Sequence, residues 1–357
     1  MRQQRRGVAR RRAACFFVAM PSPVVSARAP TRLDFGGGWT DVPPYSHEVG
    51  GFVCNLAITR YATVRVGGEA TANQPTSSLG DEAALASAVM RRLGTKDIQV
   101  HQTNDFPVKA GLGGSSAAGV AMLAAMLSVT SRDHASEADF DLDLSALDRS
   151  ALAEASRRVE VEDLGIAGGR QDHYAAAYGG ALALTFGDTT DVRRLTMSAE
   201  TRRALTDRLI VIYTGESRIS RDTITAVLDS YLERAPHVLH ALACMQLLAR
   251  EMAVAIERGD VDALGTLVGE HWEHQRALHP AITTSRIDEI LARGRAAGAI
   301  GGKALGASGG GCVLLVAGVE RSAEVRRAVA PLGDLVDFEL DEQGVTWWTD
   351  SDERIDT

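Results

Sequence analysis

The sequence predicts an α+β protein of two domains. Its 357 residues match the length of two domains of average size. With 45% hydrophobic and 24% charged residues, the composition is typical of a soluble globular protein and excludes disordered, collagen-like and disulfide-scaffold classes. Strand-like and helix-like patterns are mixed within each half of the chain. We therefore expect a basic tail at residues 1–22, an N-terminal domain at residues 23–190 and a C-terminal domain at residues 191–357.

The elements of the first half follow from hydrophobic alternation, helical periodicity and glycine-rich breaks. The run Ser115–Leu127 is rich in Ala, Leu and Met and is long for a buried strand, so it predicts a buried helix that starts at a serine N-cap. The other predicted elements are a strand at Val24–Arg28, a Gly/Pro-rich loop at Pro30–Pro44, paired strands within Phe52–Val66, a helix at Asp81–Leu93, a strand at Ile98–Gln102, a helix at Asp148–Asp163 and a strand at Gly179–Phe186.

The second half is predicted in the same way. Leu209–Tyr213 is a short buried strand, and about four helical segments follow between Arg221 and Ala297. A second Gly-rich loop, Gly301–Gly311, leads into the apolar strand Cys312–Val316. The end of the chain predicts a hairpin formed by Val336–Leu340 and Val345–Trp348 around a polar turn.

Charge and cysteine usage limit the partners and the compartment. The net charge is −8, and because residues 1–12 hold six arginines and no acid, the remaining residues carry −14, which disfavours nonspecific nucleic-acid binding. The four cysteines show no Cys-x-x-Cys spacing, which indicates reduced thiols. The apolar stretch Ala13–Met20 is short for a secretion signal, and no other apolar run approaches the roughly 18 residues of a membrane helix. We expect a cytoplasmic protein without nucleic-acid or membrane partners; a homodimer is compatible with the sequence.

A Gly-rich loop at Pro107–Ser116 is the first candidate for chemistry. Because a predicted helix begins directly after it, free backbone N–H groups and the positive end of the helix dipole would converge on one concavity. Glycine lets the backbone approach a phosphate closely, and serine hydroxyls can ligate a magnesium ion carried by phosphates. A purely structural turn is the alternative, which the following helix disfavours.

Carboxylates form the second candidate. Glu160 and Glu162 lie near the end of a predicted helix, and Asp172 lies in a segment that begins with two glycines. Phosphoryl transfer to a hydroxyl needs a metal held by hard oxygen ligands and a carboxylate that orients the hydroxyl or takes its proton. Helical geometry does not decide between the two glutamates, and ordinary surface charge is the alternative for each of these acids.

Two further Gly-rich segments complete the set. In the segment from Ala29 to Asp41, three glycines follow Arg32 and Asp34, which suits a loop that brings backbone against a polyhydroxyl substrate. Asp41 would accept hydrogen bonds from sugar hydroxyls. The segment Lys303–Gly311 has four glycines in its last six positions ahead of a strand, which folding alone does not explain because each glycine costs entropy.

The three loops, in this order and spacing, resemble the motifs of the GHMP small-molecule kinases, a superfamily that includes galactokinase, homoserine kinase, mevalonate kinase and phosphomevalonate kinase. The resemblance runs from about Val24 to the C-terminus. The segments Arg32–Pro44, Gly168–Gly180 and Tyr213–Arg218 are most similar to heptose 7-phosphate kinases and fucokinase-like sugar kinases. The resemblance implies a ribosomal protein S5 domain 2-like N-terminal domain and a ferredoxin-like C-terminal domain, with ATP and the acceptor in the cleft between them.

The resemblance also implies cofactors and residue roles. ATP and Mg²⁺ are the implied cofactors, with Ser115 and Glu160 as metal ligands and Asp172 and Arg32 at the catalytic centre. The implied nucleotide-binding residues are Lys109, Gly111, Leu112, Gly113, Gly114, Ser115 and Ser116, and the implied substrate-binding residues are Gly37, Gly38, Asp41, Gly169, Arg218, Gly309 and Gly310. The chain departs from the family pattern at Gly114, where the family usually has Ser, and at Ser308, where it usually has Gly.

The function implied is ATP-dependent phosphorylation of a sugar hydroxyl, expected to be the anomeric hydroxyl of a heptose 7-phosphate or a related sugar. A fucose or C7-cyclitol kinase of specialised metabolism is an alternative, because acceptor choice depends on few side chains. A non-catalytic sugar and ATP sensor is another. The histidines at His271, His274 and His279 lack a zinc-ligand spacing and a nearby thiolate in the sequence, so a helix end with a substrate-contact segment is preferred there over a zinc site.

Overall fold

A computed structural model describes residues 24–67, 80–96, 98–133, 148–216 and 221–349. The basic tail predicted at residues 1–22 and the substrate-site candidate Arg218 lie outside these residues. The strands are β1 Val25–Gly36, β2 Gly51–Val66, β3 Val100–Asn104, β4 Ala181–Phe186, β5 Thr190–Arg194, β6 Leu209–Tyr213, β7 Ala299–Ala304, β8 Cys312–Ala317, β9 Asp334–Val336 and β10 Thr346–Thr349.

Helices alternate with these strands in an irregular order. The α-helices are α1 Tyr45–Glu48, α2 Gly80–Leu93, α3 Gly114–Asp133, α4 Arg149–Arg158, α5 Gln171–Tyr178, α6 Ala199–Arg208, α7 Arg221–Leu232, α8 Pro236–Arg258, α9 Val261–Ala277, α10 Ser285–Ala296 and α11 Ser322–Val329. A π-helical turn at Val159–Asp163 continues α4, and 3₁₀ turns lie at Pro280–Ile282 and Ala330–Leu332. The predicted helices at 81–93, 115–127 and 148–163 and the four helices between 221 and 297 are confirmed.

The first sheet has six strands in the order β10-β1-β2-β4-β5, with β3 paired to the far end of β2. All of its pairs are antiparallel. Strand β1 is buried along almost its whole length because α3 and α8 both pack against β1 and β2. The Ala-rich sequence of α3 lets this helix lie close to the sheet.

Two predictions for the first sheet are wrong. The Gly/Pro-rich loop expected from Pro30 does not begin there, because β1 continues to Gly36 and pairs with β2 along that length. Pro30 is tolerated because a register shift, a β-bulge, falls between Pro30 and Thr31. The paired strands expected within Phe52–Val66 are one strand of 16 residues, β2.

The second sheet has four antiparallel strands in the order β7-β8-β6-β9. Along the chain its elements run strand, helices, strand, strand, helix, strand, which is the connectivity of the ferredoxin-like fold. The ferredoxin-like expectation is therefore confirmed. The predicted loop at Gly301–Gly311 begins later than expected, because the chain stays in β7 as far as Ala304.

The C-terminal hairpin predicted from Val336 to Trp348 is wrong. Strand β9 pairs with β6 in the second sheet, whereas β10 pairs with β1 in the first sheet. The segment between them crosses from one sheet to the other, and the main chain and carboxylate of Asp341 hold it through hydrogen bonds with Gly180 and Gly344. The last strand therefore belongs to the sheet of the first half, and a division of the chain near residue 190 stays a prediction.

Among the described residues, one helix is long and apolar enough to meet the length and composition of a membrane span, and it is α8. Polar residues interrupt the apolar ones in α8, so its sequence contains no continuous apolar run of the length of a membrane helix. Half of its most apolar window is buried inside the protein, where α8 packs on α9 and on the first sheet. Core helices of globular proteins have this pattern.

Candidate functional site

A cavity of about 270 Å³ lies where the two sheets meet. Four segments surround it: the turn after β1, the loop before α3, the segment before α5 and the loop between β7 and β8. The polar side chains that line it are Arg32, Asp34, Asp41, Ser116, Glu160, Gln171 and Asp172. The structure therefore brings together residues that are up to 275 positions apart in sequence, Arg32 and Ala307.

The loop before α3 has the geometry of an anion site. The carbonyl of Gly113 accepts the first helical hydrogen bond, from Ala117, so the helix begins at Gly114 and not at the predicted serine cap. The N–H groups of the first helical turn have no carbonyl partner within the helix, and Gly113 and Ser116 at this turn line the cavity. Gly113 has φ +76°, and a Cβ there would lie 3.1 Å from the carboxylate of Asp172. The loop and the catalytic candidate are therefore in direct contact.

The departure at Gly114 has a packing explanation. A Cβ at this position would lie 2.3 Å from Cε2 of Phe106. Because Phe106 is buried beside the start of α3, a serine cannot occupy position 114 without moving the ring. The second departure, Ser308, has φ +67°, and its hydroxyl accepts a hydrogen bond of 2.9 Å from the amide of Gln275 on α9.

Glu160 is the glutamate that faces the Gly-rich loop Pro107–Ser116, which is called the anion loop below. Its Oε2 accepts hydrogen bonds from the hydroxyl of Ser116 at 3.0 Å and from Nε2 of His173 at 2.9 Å. Burial alone raises the pKa of Glu160, but the hydrogen bonds from His173, Ser115 and Ser116 outweigh burial and lower the pKa below its ordinary value. Glu160 is therefore an ionised oxygen donor beside two serine hydroxyls.

Glu162, the competing glutamate, points away from the cavity. It is exposed and forms an ion pair of 2.8 Å with Arg92 on α2. The π-helical turn that carries both glutamates changes which face each side chain occupies, and π-bulges are frequent at functional sites. The choice that helical periodicity left open is therefore made by this turn.

Asp172 lies in the first turn of α5 and is held by Arg32. The Nε and Nη2 atoms of Arg32 both contact Oδ1 of Asp172, at 2.8 and 2.6 Å, and Nη1 donates to the carbonyl of Gly111 at 2.7 Å. Arg32 is buried, whereas the side chain of Asp172 is 25% exposed toward the cavity. No hydrogen bond to Oδ2 of Asp172 is found among the described residues, so this oxygen faces the cavity ready to accept one.

Asp41 is a buried carboxylate that also lines the cavity. Its Oδ2 accepts a hydrogen bond of 3.0 Å from the backbone N–H of Gln171. Burial, together with the negative charges of Asp172 and Asp34, raises the pKa of Asp41 to about 6 despite that hydrogen bond. Gly169 is required beside it, because a Cβ at that position would lie 1.9 Å from Oδ2 of Asp41.

The raised pKa of Asp41 predicts a pH dependence of stability. Since the folded protein binds this proton more tightly than the unfolded chain, the contribution of Asp41 to the free energy of unfolding is greatest below pH 4 and falls as the pH rises to about 6. The shift corresponds to about 3 kcal/mol. In Asp41→Asn this loss is absent, so the variant should gain about 3 kcal/mol relative to the parent between pH 4 and pH 7. Urea denaturation of both proteins at several pH values measures it; a difference that is constant with pH would contradict the assignment.

Behind the cavity lies a buried ion pair that joins the two sheets. Nζ of Lys303 on β7 lies 3.0 Å from Oδ2 of Asp34 on β1, and both side chains are almost fully buried. Burial lowers the pKa of Lys303, and Asp34 opposes that effect. Lysine is rare in this Arg-rich chain. The position of Lys303 at the start of a Gly-rich segment was the feature of the sequence that singled it out as a candidate.

His271 on α9 was missed as a supporting residue. Its Nε2 accepts a hydrogen bond of 2.9 Å from the backbone N–H of Gly37. Burial and the charge of Lys303 keep the pKa of His271 well below its ordinary value, so the ring is neutral and fixes the turn after β1. His173, which binds Glu160, was also missed. His271 belongs to the histidine-rich segment His271–His279, whereas His173 lies in no recognisable sequence pattern.

The predicted site residues separate into two groups. Those that line the cavity are Arg32, Gly38, Asp41, Gly111, Gly113, Ser116, Glu160, Gly169 and Asp172. Those that the structure places outside the lining are Gly37, Lys109, Leu112, Gly114, Ser115, Gly309 and Gly310. Of these, Ser115 is exposed on the first turn of α3 and hydrogen-bonds to Glu160.

Gly37, Gly309 and Gly310 lie outside the cavity lining, and their contact with substrate stays a prediction. Gly37 donates to His271, and Gly309 donates its N–H to the carbonyl of Ile282 at 2.8 Å, so both shape their loops from behind. In the loop between β7 and β8, the residues that line the cavity are Gly306 and Ala307. This loop packs directly on the anion loop, since a Cβ at Gly306 would lie 2.9 Å from the Cα of Gly111.

Two family models match the chain. The model described as GHMP kinases N terminal domain matches residues 82–180, which include the anion loop, Glu160 and Asp172. The model described as GHMP kinases C terminal matches residues 252–333, which include α9 and the loop between β7 and β8. Together they cover about half of the chain.

Curated relatives and a solved structure agree with these models. A D-glycero-alpha-D-manno-heptose 7-phosphate kinase of Campylobacter jejuni is 25% identical over 352 residues, which are 91% of this chain and 98% of the relative. A bifunctional fucokinase/GDP-fucose pyrophosphorylase of Arabidopsis thaliana is 25% identical over 84% of this chain, but the match spans only 30% of that longer protein. The crystal structure of a D-glycero-D-manno-heptose 1-phosphate kinase from Bacteriodes thetaiotaomicron superposes with a TM-score of 0.70 at 25% identity, over 91% of this chain and 98% of that one. The two-sheet fold, the loops around its cavity and these matches together show that the chain belongs to the GHMP kinase family.

Proposed function

We propose that the protein is a cytoplasmic, ATP-dependent sugar kinase that transfers the γ-phosphate of ATP to the anomeric hydroxyl of a heptose 7-phosphate or a closely related sugar. One observation carries the proposal: Asp172, oriented by Arg32, touches the anion loop at Gly113 and faces the same cavity as Asp41. A phosphate donor and a hydroxyl acceptor can therefore meet beside one carboxylate. The heptose and fucose kinases among the relatives support a sugar as the acceptor.

The anion loop supports ATP as the phosphate donor. The backbone N–H groups at the start of α3 and the positive end of its dipole favour a triphosphate. The glycines at 111 and 113, with φ +75° and +76°, let the loop pack against Leu305 and Asp172. We propose that Ser115 and Ser116 contact the same phosphates. Lys109 lies exposed at the rim of the loop, where a cation would attract the nucleotide.

The residues around Glu160 fit a magnesium ion. Mg²⁺ prefers hard oxygen ligands, and the site offers one ionised carboxylate and the hydroxyls of Ser115 and Ser116 next to the phosphate position. When bound, the ion neutralises charge on the transferring phosphate. His173 keeps Glu160 in place through its Nε2 and is itself held by Ser156 through Nδ1. These side chains are therefore positioned before any ligand arrives.

Asp172 and Arg32 would perform the transfer. Asp172 accepts a hydrogen bond from the acceptor hydroxyl at Oδ2 and takes its proton as the new oxygen–phosphorus bond forms and the bond to the β-phosphate oxygen breaks, which releases ADP. Arg32 fixes the other carboxylate oxygen and places positive charge near the transferring group. The chain contributes mainly position and charge, as phosphoryl transfer requires.

The sugar would lie between Asp172 and Asp41. Asp41 can accept hydrogen bonds from ring hydroxyls. The glycines at 38 and 169 line the same cavity and leave space for the side chains of Asp34 and Asp41. We further propose that Arg218 binds the phosphate at the far end of the acceptor, since a guanidinium suits bidentate phosphate recognition. A fucose kinase is the second candidate, favoured by the fucokinase relatives.

The test is acceptor-dependent release of ADP from Mg²⁺-ATP. Heptose 7-phosphate, fucose, unphosphorylated hexoses and C7-cyclitols form the panel, with an acceptor-free reaction as the control. We expect heptose 7-phosphate to give the highest kcat/KM and phosphorus NMR of the product to show an anomeric phosphate. Measurable ATP binding without ADP release for any acceptor would contradict a kinase and favour a sensor.

A further inference from the structure

A cluster of three metal-ligating side chains lies outside the cavity. His240 and Cys244 are four residues apart on α8, and His274 lies on the neighbouring α9. Residues four apart occupy the same helix face, so both donors on α8 point toward α9. The ligand atoms of the three residues all lie within 4.8 Å of one another. No thiol lies near His274 in the sequence, but the packing of α8 against α9 brings Cys244 next to it.

The donors are close enough to share a zinc ion. Zn–S and Zn–N bonds of about 2.3 and 2.0–2.1 Å, at the tetrahedral angle, place the sulfur and nitrogen about 3.6 Å apart. Sγ of Cys244 lies 3.6 Å from Nε2 and 3.9 Å from Nδ1 of His240, so the imidazole has to rotate to direct one nitrogen at a shared metal. The rings of His240 and His274 have centroids 5.8 Å apart and meet edge to face, so small side-chain rotations bring the third nitrogen into place.

We propose that His240, Cys244 and His274 form a zinc site that ties α8 to α9. The donor set of two imidazoles and one thiolate suits Zn²⁺ and not the oxygen-preferring Mg²⁺ or Ca²⁺. Cys244 is half-buried and His240 is exposed, so water can complete the coordination from the solvent side. Binding converts the thiol of Cys244 to a thiolate and releases one proton to solvent, and affinity therefore falls as the pH is lowered.

The position of His274 connects this site to the catalytic cavity. On α9, His271 holds the turn after β1 through Gly37, and Gln275 holds the loop between β7 and β8 through Ser308. His274 lies between these two residues on the same helix. A metal that fixes α8 to α9 would therefore stabilise the helix that supports two of the four segments around the cavity.

Binding of Co²⁺, a spectroscopic substitute for Zn²⁺, tests the site in the full chain. One equivalent of Co²⁺ should produce a sulfur-to-cobalt charge-transfer band in the near ultraviolet, and Zn²⁺ should displace it. Cys244→Ser should remove the band and weaken metal binding by about 100-fold or more, because even loss of residues that only support a ligand costs about 10- to 100-fold. His274→Gln should weaken binding to a similar extent.

Two control variants keep the test specific. His101→Gln removes a histidine from β3 in the first sheet, and Cys15→Ser removes a thiol in the N-terminal region; both should keep the band and the affinity. Zn²⁺ should also raise the melting temperature of the parent, and this rise should be absent in Cys244→Ser, whose fold is checked by circular dichroism. No charge-transfer band in the parent, or a band that persists in Cys244→Ser, would overturn the proposal.

Discussion

Replacing Asp172 with asparagine is expected to lower kcat by about 10²- to 10⁴-fold while ATP affinity stays near that of the parent. Asparagine has the same shape and keeps an oxygen for Arg32, so the contacts at 2.6 and 2.8 Å that orient the side chain can be retained. It cannot take the proton of the acceptor hydroxyl, and it carries no negative charge toward that hydroxyl. The loss should therefore fall on the chemical step and not on nucleotide binding.

The measurement is steady-state turnover together with calorimetric titration of ADP. Glu162→Gln is the matched control: it removes a carboxylate from the same region, but one whose partner is Arg92 on the surface, and its kcat should equal that of the parent. If Asp172→Asn turned over as fast as the parent, Asp172 would have no part in the transfer. If instead only ADP affinity fell, its role would lie in nucleotide binding.

The chemistry-bearing segments could be predicted from the sequence because their composition is unusual for folding alone. Glycines before a helix, as at 111–114, cost conformational entropy unless close approach or positive φ is needed, and the structure shows both. Asp172 is also conspicuous, because its segment begins with two glycines, Gly168 and Gly169. The structure brings these segments to one cavity, as the resemblance to the GHMP kinases implied.

Contacts between distant elements could not be predicted, because periodicity reports which face of an element is apolar and not what that face meets. The C-terminal segment shows this most clearly. Two apolar runs around a polar turn predict a hairpin, yet β9 and β10 join different sheets. Short strands carry little information about their partners, and the hydrogen bonds of Asp341 that direct the crossing depend on tertiary packing.

The supporting residues of the site were missed for the same reason. Lys303, His173 and His271 act through partners that are between 13 and 269 positions away, and no local pattern shows which partner each of them meets. A buried charge becomes recognisable only when its partner is known. The ion pair between Lys303 and Asp34 is the case with the largest energetic consequence.

Lys303→Met is expected to lower the free energy of unfolding by about 3–5 kcal/mol. Methionine has a similar length, but it leaves the almost fully buried carboxylate of Asp34 without its counter-charge. The other carboxylate oxygen of Asp34, Oδ1, already has no hydrogen-bond partner among the described residues, so the loss of Lys303 removes the main compensation for burying this charge.

The double variant Lys303→Met/Asp34→Asn separates the charge from the packing. Because it removes both members of the pair, no unpaired charge stays buried, and it should recover most of the stability lost in Lys303→Met. Urea denaturation of the parent, both single variants and the double variant gives the coupling free energy. A double variant as unstable as the sum of the single variants would mean that Lys303 and Asp34 stabilise the protein independently. A large coupling free energy would mean that the ion pair itself holds β1 against β7. Since Asp34 lies two residues from Arg32 on β1, the pair would then also stabilise the strand that carries Arg32 into the cavity.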